Sequence, residues 1–245
     1  EAYFYSHIKN NFAEYFFFHV DYAQYPENTE VYLALDNEDK VQAMLLNWKN
    51  NRIQLRGANT GLEFLLTGRN YNPLSVTGFE NHRELIFKYF PTYKKEIALY
   101  RMVLNKGAQK DFEKYDFQKL TELYRDEITS LMKIADPIFW GSREPEDILI
   151  DENNTWYGIV EKSQLISVVS LWRYESIGYL TIVGTHSDYW NQGYASSLIS
   201  SVLKRLFLEK EQCFIMVRVV NDPAVHTYQK IGFSICNTHY SYEQI

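Results

Sequence analysis

The chain has 245 residues, enough for one large domain or two small ones, and 46% of them are hydrophobic, which is ample for a core. A formal net charge of −6 argues against a nucleic-acid partner, because such binding depends on Lys and Arg against phosphates, and no apolar run approaches a membrane span. The two cysteines, Cys213 and Cys236, are too few for a disulfide framework or metal site and fit a reducing compartment, so we expect a cytoplasmic protein with no metal and no membrane partner.

The first hundred residues have the pattern of a small α+β domain. Runs rich in β-branched and aromatic residues indicate strands, and apolar residues at helical spacing indicate helices. The resulting order is β-β-β-α-β-α-β. We predict strands at residues 31–36, 41–48, 52–58, 74–77 and 96–104, and helices at residues 62–66 and 81–90.

A polar stretch at residues 105–109 is the best candidate for a linker, because it interrupts the periodic pattern on both sides. We therefore predict two domains, 1–105 and 111–245.

The second domain opens with helical spacing. Phe117, Leu120, Leu123 and Tyr124 predict an amphipathic helix, and a further helical run ends at Pro137. The order over the whole domain is α-α-β-β-β-α-β-α-β, with no room for another strand at the end, so the sheet edge is completed from elsewhere in the chain. We predict strands at 156–160, 164–172, 177–185, 213–220 and 234–242, with a hairpin turn at 161–163.

The most informative segment joins the strand at 177–185 to a helix that begins near Gly193. The first N–H groups of a helix have no intrahelical partner, and the helix dipole adds partial positive charge there. A pyrophosphate can therefore bind to the backbone amides from Gln192 to Ser196. Gly193 and Ala195 keep the approach open.

A second segment begins at Asn221-Asp-Pro, which has the chemistry of a helix N-terminus. Apolar residues on one helix face follow it, among them Tyr228. Gly232 is placed to end this helix in the left-handed conformation.

In this order the two segments resemble the GCN5-related N-acetyltransferase (GNAT) superfamily. The residues from Trp190 to Ala195 occupy the family's Arg/Gln-x-x-Gly-x-Gly/Ala motif, with Trp190 where Arg or Gln is usual. The later pattern Asn-x-x-Ala-x-x-x-Tyr-x-Lys-x-Gly-Phe is matched in full from Asn221 to Phe233. Because Trp190 removes a donor to the pyrophosphate, we expect modest affinity for coenzyme A (CoA).

The resemblance implies an α+β class protein, with a mixed sheet and the GNAT fold in the C-terminal half. The N-terminal domain repeats the same order of elements without the motifs, since its corresponding turn reads Arg56-Gly-Ala-Asn-Thr-Gly. We predict a degenerate GNAT-like domain that arose by internal duplication. An unrelated α+β accessory domain is the alternative.

The resemblance also implies acetyl-CoA as the donor substrate, with no metal. Tyr228 takes the place of the family's general acid, which protonates the departing thiolate, and a backbone N–H near Val183 or Gly184 stabilises the oxyanion. The expected contacts with acetyl-CoA are Val183, Gly184, Thr185, Gln192, Gly193, Tyr194, Ala195, Ser196, Asn221 and Ala224.

The general base is not fixed by these patterns. Histone-modifying members of the superfamily carry a Glu in the third strand, and the corresponding residue here is Tyr179, which has no carboxylate. Glu175 lies just before the strand and His186 at its end, where an unperturbed imidazole has a near-neutral pKa. Glu175, His186 and a water relay are the open alternatives.

The resulting prediction is an N-acetyltransferase that moves an acetyl group from acetyl-CoA to a primary amine by direct attack in a ternary complex. The amine belongs to a small molecule or a peptide, and the acidic charge favours a cationic one. The alternative is a non-catalytic acyl-CoA-binding or regulatory module, suggested by Trp190 and by the absence of a carboxylate at Tyr179. Retention of Tyr228 favours the enzyme.

Overall fold

The computed structural model describes residues 2–244, apart from the side chains of residues 10 and 95. The chain divides into two compact units. Unit 1 comprises Glu1–Tyr100 together with Asn237–Ile245, and unit 2 comprises Arg101–Cys236. The division into domains 1–105 and 111–245 stays a prediction. That prediction did not group residues 237–245 with the N-terminal part of the chain.

Unit 1 contains the order β-β-β-α-β-α-β that the sequence predicts, preceded by two helices that it did not predict. The elements that begin in unit 1 are α1 (Ala2–Ile8), α2 (Phe12–Gln24), β1 (Thr29–Leu35), β2 (Val41–Trp48), β3 (Arg52–Gly57), α3 (Asn59–Leu66), β4 (Ser75–Gly78), α4 (Arg83–Tyr89) and β5 (Tyr93–Asn105).

Unit 2 confirms the predicted hairpin, the strand at 177–185 and both motif helices. The elements that begin in unit 2 are β6 (Gln118–Leu120), α5 (Arg125–Ala135), α6 (Pro137–Trp140), β7 (Asn154–Glu161), β8 (Gln164–Tyr174), β9 (Ile177–Thr185), α7 (Tyr194–Leu206), β10 (Gln212–Arg218), α8 (Asp222–Ile231) and β11 (Ser234–Gln244).

One prediction at the start of the second domain was wrong. Residues 117–124 form no α-helix: they hold strand β6 and a short 3-10 helix, and Leu123 is 87% exposed instead of facing a core. The next helical run does end before Pro137, because α5 stops at Ala135. Pro137 then begins the short helix α6, which Asp136 caps by accepting a hydrogen bond from the Phe139 N–H.

The sheet of unit 1 is covered by helices on both faces. Its strands are ordered β1-β2-β3-β4-β11-β5, with β3 and β4 parallel and β11 antiparallel to β4. Along β2, Ala43 and Leu45 pack with α3 and α4, whereas Met44 and Leu46 pack with α1 and α2. The aromatic run at 15–18 contributes Tyr15 and Phe18 to this second cluster, so those two side chains are buried within unit 1 itself.

The sheet of unit 2 is ordered β11-β5-β10-β9-β8-β7-β6. Neighbouring strands from β6 to β9 are antiparallel, and β9 is parallel to β10. Residues 101–105 of β5 belong to unit 2 and lie beside β10. The prediction that the sheet is completed from elsewhere in the chain is therefore confirmed.

Within residues 2–244, no helix combines the length and the apolar character needed to cross a membrane.

Candidate functional site

The parallel strands β9 and β10 pair only over their first halves. The paired residues run from Ile177 with Gln212 to Leu180 with Ile215. Both strands continue beyond the last pair, β9 as residues 181–185 and β10 as residues 216–218. We call this opening the β9–β10 split; it leaves the carboxyl ends of two parallel strands unpaired with each other, at the edge where α/β proteins commonly bind ligands.

The split has a structural cause on the other side of β9. The ladder with β8 shifts register between Ser170 and Leu171, whose partners are Ile182 and Leu180. Thr181 is therefore an extra residue on β9. Such a bulge bends a strand and increases its twist, which turns the second half of β9 away from β10.

The predicted residues Val183, Gly184 and Thr185 all lie in the second half of β9, beside the split. A Cβ atom at Gly184 would overlap the Met132 Sδ atom, so glycine lets helix α5 pack directly on this strand. The Thr185 hydroxyl lies 2.9 Å from the Ser167 Oγ atom. The role of these three residues in binding acetyl-CoA stays a prediction.

Gly193 is the N-cap of helix α7, one short loop after the end of β9. Gly193 has a φ of 91°, in the left-handed region, and a Cβ atom added there would meet no other atom within 4 Å. The Ser197 N–H donates to the Gly193 carbonyl at 2.9 Å, so the first intrahelical bond is formed. By helix geometry the amides before Ser197 lack such partners.

Trp190 occupies the motif position where Arg or Gln is usual, and its side chain makes a hydrogen bond within the protein. Its Nε1–H donates to the Thr185 carbonyl at 2.8 Å, although the side chain is 55% exposed. The indole therefore ties the loop to the end of β9. Its hydrogen-bond donor is already used within the protein.

A set of polar contacts fixes the first turn of α7. The Tyr194 hydroxyl donates to the Glu161 carboxylate at 2.9 Å, and its ring stacks on Tyr115 with 3.9 Å between centroids. Tyr115 donates its hydroxyl to the Gln192 carbonyl at 3.1 Å and its N–H to the Ser197 Oγ atom at 3.0 Å. Tyr115 and Glu161 could not be identified from the sequence, because nothing in their local pattern distinguishes them from other surface residues.

Helix α8 carries the second motif as predicted. The Asn221 side chain accepts a hydrogen bond from the Ala224 N–H at 3.4 Å, which caps the helix. Gly232, at a φ of 122°, ends it and donates its N–H to the Tyr228 carbonyl. Tyr228 is 5% exposed, and burial raises the pKa of its phenol well above the ordinary value. The hydroxyl is therefore protonated at neutral pH.

The candidates for the general base lie at opposite ends of β9. Glu175 lies in the turn between β8 and β9, at the opposite end of β9 from the split, and its carbonyl accepts a hydrogen bond from the Lys210 ammonium. His186 follows the split end of β9, and its Nδ1 accepts from the Asp188 N–H at 3.3 Å. Tyr179 lies one residue before the last β9–β10 pair.

The described residues contain no group of three or more His, Cys, Asp or Glu side chains placed to hold a metal ion. Cys213 is buried in β10, and burial raises the pKa of its thiol, while Cys236 is exposed in β11. The Cys213 thiol is therefore not activated for chemistry.

Residues 118–233 match the acetyltransferase (GNAT) family model. Among solved structures, a GNAT-family acetyltransferase from Colwellia psychrerythraea superposes with a TM-score of 0.63 at 9% identity, covering 98% of this chain and 97% of that one. A tandem GNAT protein from the clavulanic acid biosynthesis pathway gives a TM-score of 0.51 at 11% identity, covering 89% and 84%. At these identities the likeness shows the fold, and it extends over both units.

A curated relative, a mycothiol acetyltransferase from Corynebacterium aurimucosum, is 35% identical over 66 residues. The match covers 26% of this chain and 21% of the relative, so it spans about a fifth of the relative's length.

Proposed function

Because residues 118–233 match the GNAT family model, we propose that unit 2 moves an acetyl group from acetyl-CoA to a primary amine by direct attack in a ternary complex. One observation carries the proposal. The β9–β10 split and the open N-terminus of α7 are joined by a single loop, residues 186–193. A ligand with a pyrophosphate and a long thioester arm fits this pair of features.

The pyrophosphate binds at the start of α7. The amides from Gln192 to Ser196 supply hydrogen-bond donors, and the helix dipole favours the negative charge. Because the Trp190 donor is bonded to Thr185, these amides make most of the contact. Affinity for acetyl-CoA is therefore modest compared with a site that adds an Arg side chain.

The pantetheine arm enters the split and pairs with free backbone of β9 at Val183, Gly184 and Thr185. An extended amide-containing chain can bond to an unpaired strand edge in the way an added strand does. Asn221 and Ala224, at the start of α8, contact the donor from the other side. This places the thioester near the inner end of the split.

The chemistry needs three groups at the thioester. A neutral amine attacks the carbonyl carbon, a backbone N–H of Val183 or Gly184 stabilises the oxyanion, and the thiolate takes a proton as the C–S bond breaks. Tyr228 is the proton donor, because it is buried on α8 and protonated. Acetyl transfer is also the activity in the name of the bacterial relative.

The test is made on the full chain in two steps. Titration calorimetry measures acetyl-CoA binding, and a panel of small-molecule and peptide amines is then screened for release of the CoA thiol. We expect binding and thiol release with at least one primary amine. Binding with no release for any amine would instead identify a non-catalytic acyl-CoA module, and no binding would overturn both functions.

Tyr228→Phe tests the acid directly. Removing the hydroxyl should lower kcat by about 100-fold, at the lower end of the range for acid catalysis, because a thiolate is already a tolerable leaving group. Acetyl-CoA affinity should change little, since the ring remains. Full activity in this variant would remove Tyr228 from the mechanism, and an equal loss of affinity would indicate structural damage.

A further inference from the structure

Residues 112–115 form a short strap against α7 within unit 2. The Lys114 and Tyr115 N–H groups both donate to the Ser197 Oγ atom, at 2.9 and 3.0 Å. Ser197 lies on α7 and is fully buried, so the strap backbone approaches the helix closely at this serine. The strap precedes residues 118–233, the region that matches the family model, so its contacts are a feature that the match does not describe.

Three contacts fix the direction of the Tyr115 hydroxyl. The Tyr115 ring stacks on that of Tyr194, with 10° between their planes. The Lys114 ammonium donates to the Tyr115 Oη atom at 2.8 Å and lies 4.7 Å from the ring centroid. An ammonium has donors and no acceptor, so the phenol oxygen accepts from it and directs its own proton to the Gln192 carbonyl, at 3.1 Å. A phenol that accepts from a cation is also polarised into a stronger donor.

The bond to the Gln192 carbonyl sets the orientation of the peptide that leads into α7. In a planar trans peptide the carbonyl and the following N–H point in opposite directions. With the Gln192 carbonyl directed at Tyr115, the Gly193 N–H points away from the strap. Gly193 is left-handed and Tyr194 begins the right-handed helix, and successive N–H groups in such an alternation form a concavity that binds anions. The Tyr115 hydroxyl therefore holds the Gly193 amide among the donors proposed for the pyrophosphate.

We propose that Tyr115 is a positioning residue for the donor pyrophosphate, because its hydroxyl holds the Gln192–Gly193 peptide with the Gly193 N–H available to the phosphates. This inference rests on the proposed function. Tyr115 contacts no reacting atom and acts through the peptide. Glycine at position 193 makes the support necessary, since a residue without a Cβ atom leaves the peptide free to rotate. A rotated peptide would present its carbonyl oxygen to the phosphates and repel them.

The first test is Tyr115→Phe in the full chain, which removes the hydroxyl and keeps the ring that stacks on Tyr194. Titration calorimetry with acetyl-CoA should give a Kd about 10-fold higher, the effect of losing one donor to a charged group. Tyr124→Phe is the matched control, because Tyr124 is also half-buried in unit 2 and its hydroxyl accepts a hydrogen bond from Gln118 at 2.7 Å. The control should bind as the native chain does. An unchanged Kd in Tyr115→Phe would overturn the proposal.

Three acetyl donors separate positioning of the pyrophosphate from general damage to the loop. Acetyl-CoA and acetyl-dephospho-CoA both carry the pyrophosphate, and the second lacks the 3′-phosphate. S-acetylpantetheine carries no phosphate. With a saturating amine, Tyr115→Phe should raise KM about 10-fold for the first two donors at unchanged kcat, because the strap takes no part in the chemistry at the thioester. For S-acetylpantetheine, kcat/KM should equal that of the native chain.

Two results with these donors would contradict the role of Tyr115. A loss of the same size with S-acetylpantetheine would assign the hydroxyl to the shape of the loop as a whole. A loss with acetyl-CoA but not with acetyl-dephospho-CoA would assign it to the 3′-phosphate. Either result overturns the proposal.

Failure of this proposal and failure of the proposed function are distinguishable. If the native chain binds no acetyl-CoA, the proposed function falls, and the role of Tyr115 falls with it. If the native chain binds acetyl-CoA and releases the CoA thiol with an amine, and Tyr115→Phe does so with the same Kd and KM, only the role of Tyr115 falls.

Discussion

Each unit contains a pair of parallel strands that separate toward their carboxyl ends. In unit 1, β3 and β4 pair from Arg52 with Ser75 to Gln54 with Thr77, and β3 then continues to Gly57. In unit 2, β9 and β10 pair as far as Leu180 with Ile215. The same order of strands and helices is therefore accompanied by a similar opening in each unit, and the difference between the two openings lies in what surrounds them.

In unit 1 the region beyond the last pair is filled by the unit's own side chains. Arg56 is 1% exposed, lies 4.6 Å from the Phe79 ring centroid and 5.4 Å from that of Phe18, and its Nη2 lies 3.1 Å from the His239 Nδ1. A buried cation between aromatic rings is a packed core element. It leaves no route for a pantetheine arm along β3.

The connections differ as well. Helix α3 follows β3 after the single residue Ala58, whereas residues 186–193 separate β9 from α7. A glycine with positive φ lies at each connection, Gly57 as the last residue of β3 and Gly193 at the end of the loop before α7. A Cβ atom at Gly57 would overlap the Gln42 carbonyl, whereas one at Gly193 would meet no atom within 4 Å. A split between parallel strands thus occurs in both units, while the open loop at a helix N-terminus is found at the split of unit 2.

The largest expected effect is on acetyl-CoA binding in Gly193→Asp. The new carboxylate would face the phosphates at the amides of α7, so binding should be abolished, meaning a loss on the order of 100-fold or more. Titration calorimetry measures it. Gly193→Asn is the control for backbone strain, because Asn tolerates the left-handed conformation and carries no charge. Unchanged binding in Gly193→Asp would refute the placement of the pyrophosphate.

The equivalent change in unit 1 should act on stability instead. Gly57→Ala forces a Cβ atom against the Gln42 carbonyl at a φ of 97°, and we expect a loss of roughly 2–4 kcal/mol in the free energy of unfolding. Urea denaturation measures this loss. Acetyl-CoA affinity below the transition should equal that of the native chain. A weakened affinity would mean that the two openings are not functionally distinct.

His82 of unit 1 leads us to expect that the free energy of unfolding depends on pH. This imidazole is fully buried, and burial lowers its pKa below the ordinary 6.5. Its Nδ1 accepts from the Phe79 N–H at 3.0 Å, so its Nε2–H donates to the Gly57 carbonyl, and protonation at Nδ1 would break the first bond.

The sign follows from the lowered pKa of His82. Below pH 6.5 the unfolded chain binds a proton that the folded chain does not, so stability is full above about pH 6.5 and falls with acid by up to about 1.4 kcal/mol per pH unit. Urea midpoints at pH 7 and pH 5.5 measure it. His82→Gln should flatten the dependence, and His226→Gln, at an exposed position on α8, should not. Equal slopes in both variants would contradict the assignment.

The smallest effect is expected for Trp190→Phe. The change removes only the hydrogen bond to the Thr185 carbonyl, which should cost about 1 kcal/mol in the free energy of unfolding. Acetyl-CoA affinity should change by no more than a few-fold, since the donor does not serve the ligand. A loss of binding as large as that of Gly193→Asp would show that Trp190 contacts acetyl-CoA after all.

Local patterns predicted much of the fold. Alternation along β9, the turn after β7 and the caps of α8 are short-range features, and each was found where the sequence placed it. The helix prediction for residues 117–124 failed because apolar residues at helical spacing also occur in an edge strand followed by a turn. Exposure of the Leu123 side chain costs little free energy there.

The arrangement inside the site could not be predicted in the same way. Tyr115, Glu161 and Tyr194 are far apart in sequence, and the fold brings them together at the first turn of α7. The register shift at Ser170, which opens the split, depends on two strands at once. The hydrophobic pattern of a single segment does not specify the pairing register between strands that are distant in sequence.

Strand β11 has a consequence for the order of events during synthesis. Its residues 240–243 pair with β4, so the sheet of unit 1 lacks a strand until these residues have left the ribosome. Unit 1, most of which is translated before unit 2, is thus completed after unit 2. Until then β4 presents an open edge to other chains, and a premature stop before Asn237 would leave that edge exposed permanently, with aggregation as the expected outcome.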